Sequence, residues 1–224
     1  MKACLLILLL AQPATAEVEN YLLVFAGDAV PYRPTRAHTF AAVVQIERKP
    51  GCPPKLLHLS SLSWLPKDEK IRAFAPPKTG RNVPLHETIQ TVLKEKRIVH
   101  MWGPYHICPE LADKFRARQL KVESCFLYRG ACFLSRMHIC DCVRSIEEMI
   151  TGKRRFIGVL GYGAAGASVV VREANPWIIH PQQTHPWVAT IVGLDRYPIT
   201  RHAHDEFTSR WDQLKSSFSI WRKR

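Results

Sequence analysis

Residues 38–47 read HTFAAVVQIE and residues 55–64 read KLLHLSSLSW, and these two stretches decide the fold. Every second side chain of the first stretch shares one strand face, and these side chains are His38, Phe40, Ala42, Val44 and Ile46. The turn signal Lys49-Pro50-Gly51 separates the two stretches. The pattern predicts two antiparallel strands joined by a hairpin.

Strands and helices mix along the rest of the chain without a strict β-α-β rhythm. Predicted extended segments are 21–26, 98–102 (closed by Gly103-Pro104), 126–128 and 168–173. Predicted helices are 86–96, 109–120 and 141–150. Asp141 is the expected cap of the last helix and Gly152 its expected end, whereas the basic, Pro-rich segment 66–84 is expected to be a loop. The mixture favours an α+β fold with an antiparallel sheet.

The composition is that of a folded domain with basic character. The chain has 224 residues, of which 46% are hydrophobic and 23% charged, which argues against disorder, collagen and coiled coil. A chain of this length can bury a core without needing disulfides. The formal net charge of +13 is spread along the sequence and bears on partners rather than on fold. Nucleic acid is not an expected partner, because no RRM, KH or zinc-finger signature is present.

The first sixteen residues have the pattern of a secretory signal peptide. Lys2 precedes the apolar run 3–11, and Ala14-Thr15-Ala16 has the form of a cleavage site. The run has about half the length that a membrane-spanning helix needs, although a short uncleaved anchor is the alternative. We therefore expect export to a periplasm or the extracellular space. The expected organisation is a signal peptide (1–16), one α+β domain (17–204) and a C-terminal helix (205–224).

The C-terminal segment has helical spacing and a basic surface. Its apolar residues recur at intervals of four and three: Phe207, Trp211, Leu214, Phe218 and Trp221. Basic residues flank this seam and end the chain as Arg222-Lys223-Arg224. The helix either packs on its own domain or lies on an anionic membrane or a partner.

Export changes how the cysteines are interpreted. Of seven cysteines, Cys4 leaves with the signal peptide, and the six that remain allow up to three disulfides. Cys52 lies in a loop, and Cys125 and Cys132 flank a predicted turn, so these three are natural disulfide candidates. If one cysteine is a nucleophile, another must remain unpaired.

Two motifs could indicate a metal or a cofactor, but neither has the context that such a site needs. His138-x-Cys140-x-Cys142 offers zinc ligands, which His202 or His204 could complete, yet the one-residue spacing strains a tetrahedral site and export favours disulfides. Residues 161–166 match G-x-G-x-x-G, but the SVVVRE that follows is predicted as a strand instead of the required helix. We expect no metal and no cofactor.

The strongest candidate for catalysis combines a cysteine and a histidine. Cys142 lies in the first turn of a predicted helix, where exposed N–H groups and the helix dipole favour a thiolate. His38 begins an otherwise apolar strand face and could move the proton, and His58 on the next strand could orient His38. The expected catalytic residues are therefore Cys142, His38 and His58.

At these residues the sequence resembles a known superfamily. The order of histidine before cysteine is similar to the circularly permuted branch of the NlpC/P60 papain-like superfamily, and HTFAAVVQI, SLSWLP, WGPYHI and DCVRSIEEMI resemble uncharacterised exported bacterial proteins near that branch. The resemblance covers roughly residues 21–173. It departs from the usual pattern in two places, since Asp141 replaces an asparagine and Cys140 lies two residues before Cys142.

The resemblance implies a permuted papain-like fold, with an antiparallel sheet against a helix that begins at the cysteine. It also implies an exported thiol hydrolase or acyl transferase acting on an amide, peptide or ester bond, with Cys142 as nucleophile and His38 as base. The acyl or peptide substrate stays unknown. The alternative is a non-catalytic exported binding module of the same fold, with paired cysteines and a basic face that binds an anionic membrane or a wall polymer.

Overall fold

The computed structural model describes residues 16–33, 36–68, 76–125, 127–129, 139–152, 162–204 and 206. Nine strands occur in these ranges, in chain order β1 (Glu17–Asp28), β2 (His38–Arg48), β3 (Lys55–Leu62), β4 (Trp64–Pro66), β5 (Lys78–Asn82), β6 (Ile98–Ile107), β7 (Leu127–Tyr128), β8 (Ile139–Cys140) and β9 (Ile199–His202). Residues 1–15 of the predicted signal peptide and all of the predicted C-terminal helix except Glu206 lie outside the described residues.

Five α-helices accompany the strands in the same ranges. They are α1 (Leu85–Lys94), α2 (Pro109–Cys125), α3 (Cys142–Thr151), α4 (Ala164–Ala174) and α5 (Pro186–Ile191). Short 3₁₀ turns follow at Asn175–Trp177 and Leu194–Arg196. None of the helices described has the length and apolar character that crossing a membrane requires.

The larger sheet has five strands in the order β3-β2-β1-β6-β9. β1 pairs antiparallel with both β2 and β6, and β2 pairs antiparallel with β3, as the hairpin pattern predicts. Only β9 joins in parallel, on the free side of β6. A smaller sheet has the order β4-β5-β7-β8. The molecule is thus an α+β fold with a mostly antiparallel sheet, and the predicted fold class is confirmed to that extent.

Helices cover both faces of the larger sheet and create two separate cores. Alternation along β2 divides its side chains between them. Ala41 and Val43 pack in one core with α2, α3 and α4, which we call the α3-side core. Phe40 and Ala42 pack in the other core with α1 and α5, which we call the α1-side core. This division decides which functional groups can meet.

Several predicted elements differ from those in the structure. Residues 168–173, predicted as a strand, lie inside α4. The β-branched run suggested a strand, but the alanines before it favour a helix, and Ala164, Ala167 and Val171 place one helical face in the core. The segment 66–84, predicted as a loop, contains β5.

The ends of two predicted strands are also wrong. β6 continues past Gly103 to Ile107, and the pairing with β1 shifts register between Leu22 and Val24 to accommodate the irregularity. Gly103 has a φ of +85°, and a Cβ there would lie 2.7 Å from the Leu22 carbonyl oxygen, so the strand passes here only because the residue is glycine. The predicted strand 55–64 is broken at Ser63 into β3 and β4.

The ends of α3 agree with the prediction. The Asp141 carboxylate accepts a hydrogen bond from the backbone N–H of Arg144 at 2.8 Å and so caps the helix. Gly152 ends the helix in the left-handed conformation, with φ of 65°. Cys142 is therefore the first residue of the helix.

Candidate functional site

His38 lies in the α1-side core, where it has structural partners. Its ring stacks on Phe40 with centroids 5.3 Å apart, and its Nε2 lies 2.9 Å from Ser63 Oγ. Thr88 of α1 donates a hydrogen bond to the same Ser63 hydroxyl at 2.9 Å. Burial, followed by the positive charge of Arg97, lowers the pKa of His38 to about 3. The imidazole is thus neutral and is only 1% exposed.

Cys142 lies in the α3-side core at the first turn of α3 and is fully buried. Burial, followed by the negative charge of Asp141, raises the pKa of its thiol to about 12. Backbone N–H groups of Thr39, Val143 and Cys142 itself form hydrogen bonds to the sulfur and act in the opposite direction. The donors expected at a helix start are therefore present, but burial outweighs them and keeps the thiol protonated.

The structure does not bring the predicted nucleophile and base together. The backbone of Thr39 contacts Cys142, but the side chain of His38, one residue earlier, points to the other face of β2. The sheet therefore separates the imidazole from the thiol. The alternating pattern in the sequence already places His38 and Phe40 on the same face of β2. The sequence does not show, however, against which face of β2 helix α3 packs.

His58 does not orient His38 either. Register pairs His58 with Gln45, which is seven residues beyond His38 along β2. At the rise of a β-strand this is about 23 Å. His58 is also exposed, whereas His38 is buried. The proposed role of His58 therefore has no geometric basis.

The described cysteines are free thiols. Cys52 is exposed, Cys108 is half-buried, and Cys140 and Cys142 are buried. Cys52, one of the disulfide candidates, is therefore unpaired. The side chains of the other two candidates, Cys125 and Cys132, lie outside those that the structure describes.

The zinc cluster considered for residues 138–142 finds no support within the described part of the chain. No group of three or more His, Cys, Asp or Glu side chains there could hold a metal ion. His138 lies outside the described residues. His202, considered as a further zinc ligand, is hydrogen-bonded to other partners.

The helix required by the G-x-G-x-x-G motif does follow it, as α4, so the strand predicted after the motif is wrong. However, the N-terminus of α4 already faces a carboxylate. Asp28, at the end of β1, accepts a hydrogen bond from the Ala164 N–H at 3.0 Å. A Cβ at Gly163 would lie 1.7 Å from the Asp28 carboxyl oxygen Oδ1. An anionic phosphate would thus meet a carboxylate at the place where the motif would hold it.

Asp28 begins a chain of four titratable side chains at this end of the sheet, which we call the His relay. Its Oδ2 lies 3.9 Å from His100 Nε2, and His100 Nδ1 lies 2.9 Å from His202 Nε2. His202 Nδ1 lies 2.6 Å from Glu206 Oε1. Trp102 stacks on His202 with centroids 4.5 Å apart. Two imidazoles in series are therefore held between two carboxyl groups.

The His relay was not predicted from the sequence, because β9 was not among the predicted strands. His100 and His202 are 102 residues apart and meet only because β9 pairs with β6. The Asp28 side of the relay had a visible signal, an acidic residue directly after a buried strand. Which of the ten histidines lies next to Asp28 could not be decided without the strand order of the sheet.

A cluster of basic residues surrounds the same end of the sheet, and we call it the basic rim. Its members are Arg33, Arg36, Lys94, Lys96 and Arg97. The Arg97 guanidinium donates to the Arg36 carbonyl at 2.7 Å, and the Arg36 guanidinium donates to the Glu95 carbonyl at 3.2 Å, which ties the end of α1 to the start of β2. Val30 and Ile98, which are 53% and 40% exposed, lie at this end as well.

Comparison with known proteins found no match to this chain among protein-family models, curated proteins or solved structures. The resemblance to the permuted NlpC/P60 branch therefore stays a prediction.

Proposed function

We propose that this chain is an exported, non-catalytic binding module whose basic rim binds an anionic lipid surface. The observation that carries the proposal is the composition of one end of the sheet. Exposed cations of the rim lie at the same end of the sheet as exposed Val30 and Ile98, while Arg36 and Arg97 of the rim are paired with Glu95. Cations beside exposed aliphatic side chains are the combination that binds at an anionic membrane interface.

The state of the two expected catalytic groups also favours a binding module. His38 is a neutral, hydrogen-bonded core residue, and Cys142 is a buried neutral thiol on the other face of the sheet. Neither group is poised for proton transfer to the other. The polar contacts of His38 with Ser63 and Thr88 instead connect β2 to α1 and thereby support the helix whose end forms part of the rim.

Glu206, the described residue next to the predicted basic segment, lies at the same end of the sheet. Glu206 is hydrogen-bonded through its carboxylate to His202, and its carbonyl accepts from the Trp102 indole N–H at 3.4 Å. The segment that follows carries the apolar seam and basic residues noted in the sequence. Its start beside the rim would let both bind one surface.

Vesicle binding tests the proposal. The triple variant Arg33→Gln, Lys94→Gln, Lys96→Gln removes three rim cations that are exposed. Since a cation near an anionic membrane contributes about 1 kcal/mol, we expect the affinity for phosphatidylglycerol-containing vesicles to fall by about 100-fold. Flotation at low and high salt, with purely zwitterionic vesicles alongside, measures the effect.

A matched control distinguishes a specific effect of the basic rim from a general effect of net charge. Lys49→Gln, Lys55→Gln, Arg116→Gln removes the same formal charge from the far hairpin and from α2. We expect the control to retain vesicle binding within about fivefold of the parent chain. Equal weakening by both triples, or absence of salt-sensitive binding in the parent chain, would contradict the proposal. Truncation after Asp205 then measures how much the predicted helix adds.

The second candidate keeps the permuted papain-like fold and uses Cys142 for acyl transfer. In its favour, Cys142 begins a helix and three backbone N–H groups surround its sulfur, an arrangement that also suits a developing oxyanion. In this mechanism α3 must move relative to β2, so that the thiol becomes accessible and gains a base.

Thiol reactivity separates the two candidates. Cys52→Ser first removes the exposed thiol, which would otherwise dominate any count of free cysteines. Iodoacetamide labelling with site-resolved mass spectrometry then follows Cys142 in the native chain. The binding module predicts labelling only after denaturation. Rapid native labelling that slows in His38→Gln would instead support acyl transfer.

A further inference from the structure

We propose that the His relay is a proton-uptake site that makes binding at the basic rim stronger when the pH falls. The inference rests on the proposed function, because it concerns regulation of the same surface. Asp28, His100, His202 and Glu206 form one chain at the end of the sheet that the rim surrounds. A proton taken up by this chain adds one positive charge next to the rim.

The hydrogen bonds determine where the protons are at neutral pH. Because the Glu206 carboxylate accepts from His202 Nδ1, this nitrogen carries the hydrogen and Nε2 of the neutral ring is bare. Nε2 therefore accepts from His100 Nδ1. His100 Nε2 is then bare as well, and it faces Asp28 Oδ2 at 3.9 Å. The relay thus ends in a vacant nitrogen lone pair beside a carboxyl group.

One added proton fits this chain without breaking it. It can lie on Asp28, which then faces the bare His100 Nε2 as a donor, or on His100 Nε2, which then faces the Asp28 carboxylate. Every contact keeps one donor and one acceptor in either arrangement.

The surroundings set where the first proton binds. Burial raises the pKa of Asp28 to about 6, against the opposing effects of the Ala164 N–H bond and of the positive charge on Arg97. Burial also lowers the pKa of His100 to about 4, helped by His202 and opposed by Glu206. The groups facing the relay are thus Arg97 before β6, the α4 N-terminus, and the His202 and Glu206 side chains. Asp28 is the group that takes up a proton under mildly acidic conditions.

The expected effect follows from the loss of one negative charge at the rim. A unit charge near an anionic membrane changes the affinity about fivefold. All other titratable groups are shared by the parent chain and by a variant that lacks the Asp28 titration, so the relay's share is the difference between the two. Asp28→Asn is that variant, because its side-chain oxygen can still accept from Ala164 while its charge is fixed at zero.

The experiment measures binding to vesicles of phosphatidylcholine and phosphatidylglycerol at pH 7 and pH 5. We expect Asp28→Asn to bind about fivefold more tightly than the parent chain at pH 7 and equally at pH 5. Glu206→Gln, a change at a half-exposed position, should move the parent response to lower pH, because a carboxylate at the other end of the chain favours proton uptake by the chain. His180→Gln removes an exposed histidine elsewhere and should leave the comparison with Asp28→Asn unchanged.

A second readout separates failure of the relay from failure of the proposed function. The ¹³C shift of the Asp28 carboxyl group should report one proton uptake between pH 7 and pH 5, the ¹⁵N shift of the neighbouring His100 ring should change over the same range, and Asp28→Asn should abolish that change. If this titration is present while vesicles do not bind, the relay stands and lipid is the wrong partner. If the ring shifts do not respond, or if folded Asp28→Asn keeps the parent's full pH response, the relay proposal is overturned.

Discussion

The buried state of His38 leads to a prediction about acid stability. An unfolded histidine has a pKa of 6.5, whereas in the folded chain burial lowers the pKa of His38 to about 3. The unfolded chain therefore binds more protons than the folded chain as the pH falls. The stability that the neutral ring contributes is complete above the pKa of the unfolded state, and it is lost progressively as the pH falls towards the pKa of the folded state. Between about pH 7 and about pH 5 this single residue removes about 2 kcal/mol from the free energy of unfolding.

His38→Gln isolates that contribution, because glutamine does not titrate and its amide can still reach Ser63. Urea unfolding across this pH range should give a free energy of unfolding that is lower than the parent's at neutral pH. On acidification it should fall about 2 kcal/mol less than the parent's does. Other titrating groups, including Asp28 and His100, are the same in both chains and cancel. His58→Gln, at an exposed position, is the control and should follow the parent curve.

Parallel curves for His38→Gln and the parent chain would refute this reasoning. They would mean that the His38 ring can be protonated in the folded chain, and therefore that it is accessible in a way that its contacts with Phe40 and Ser63 do not allow. The hypothesis of a histidine base for Cys142 would then be favoured again.

Two further predictions concern the elements that meet at the α3-side core, and chemical denaturation checks both. Asp141→Ala should lower the free energy of unfolding by about 1–2 kcal/mol, because the capping hydrogen bond from Arg144 is lost. Asp141→Asn retains a capping oxygen, so an equally large loss in that variant would argue against this cause. Gly163→Ala should cost more than Gly152→Ala. Both glycines have positive φ, but only at Gly163 would the new methyl group collide, with Asp28, so equal losses would contradict the described packing.

The sequence was sufficient for the parts of the fold that local patterns determine. Alternation predicted β2 and its pairing with β3, and the Asp141 and Gly152 signals predicted both ends of α3. Residues 168–173 were predicted wrongly because three successive valines favour a strand, while burial along one face of α4 imposes a helix. The missed continuation of β6 depends on the approach of the Leu22 backbone to Gly103, which no local pattern reveals.

The candidate site was less accessible to sequence reasoning, since it depends on which sheet face each helix covers. The sequence correctly grouped His38 with Phe40, but it could not show that α3 packs against Ala41 and Val43 instead. Likewise, His100 can be assigned to the relay only once the pairing of β9 with β6 shows that His202 lies beside it. Contacts of such long sequence separation are set by the global topology.

The place of β9 has a consequence for synthesis. β6 is an interior strand of the finished sheet, but its second neighbour, Ile199–His202, comes much later in the sequence. A nascent chain therefore has β6 as an open edge, with unpaired backbone groups along it, until Ile199–His202 has been synthesised. Such an edge is a natural place for a chaperone to bind and for premature chains to aggregate.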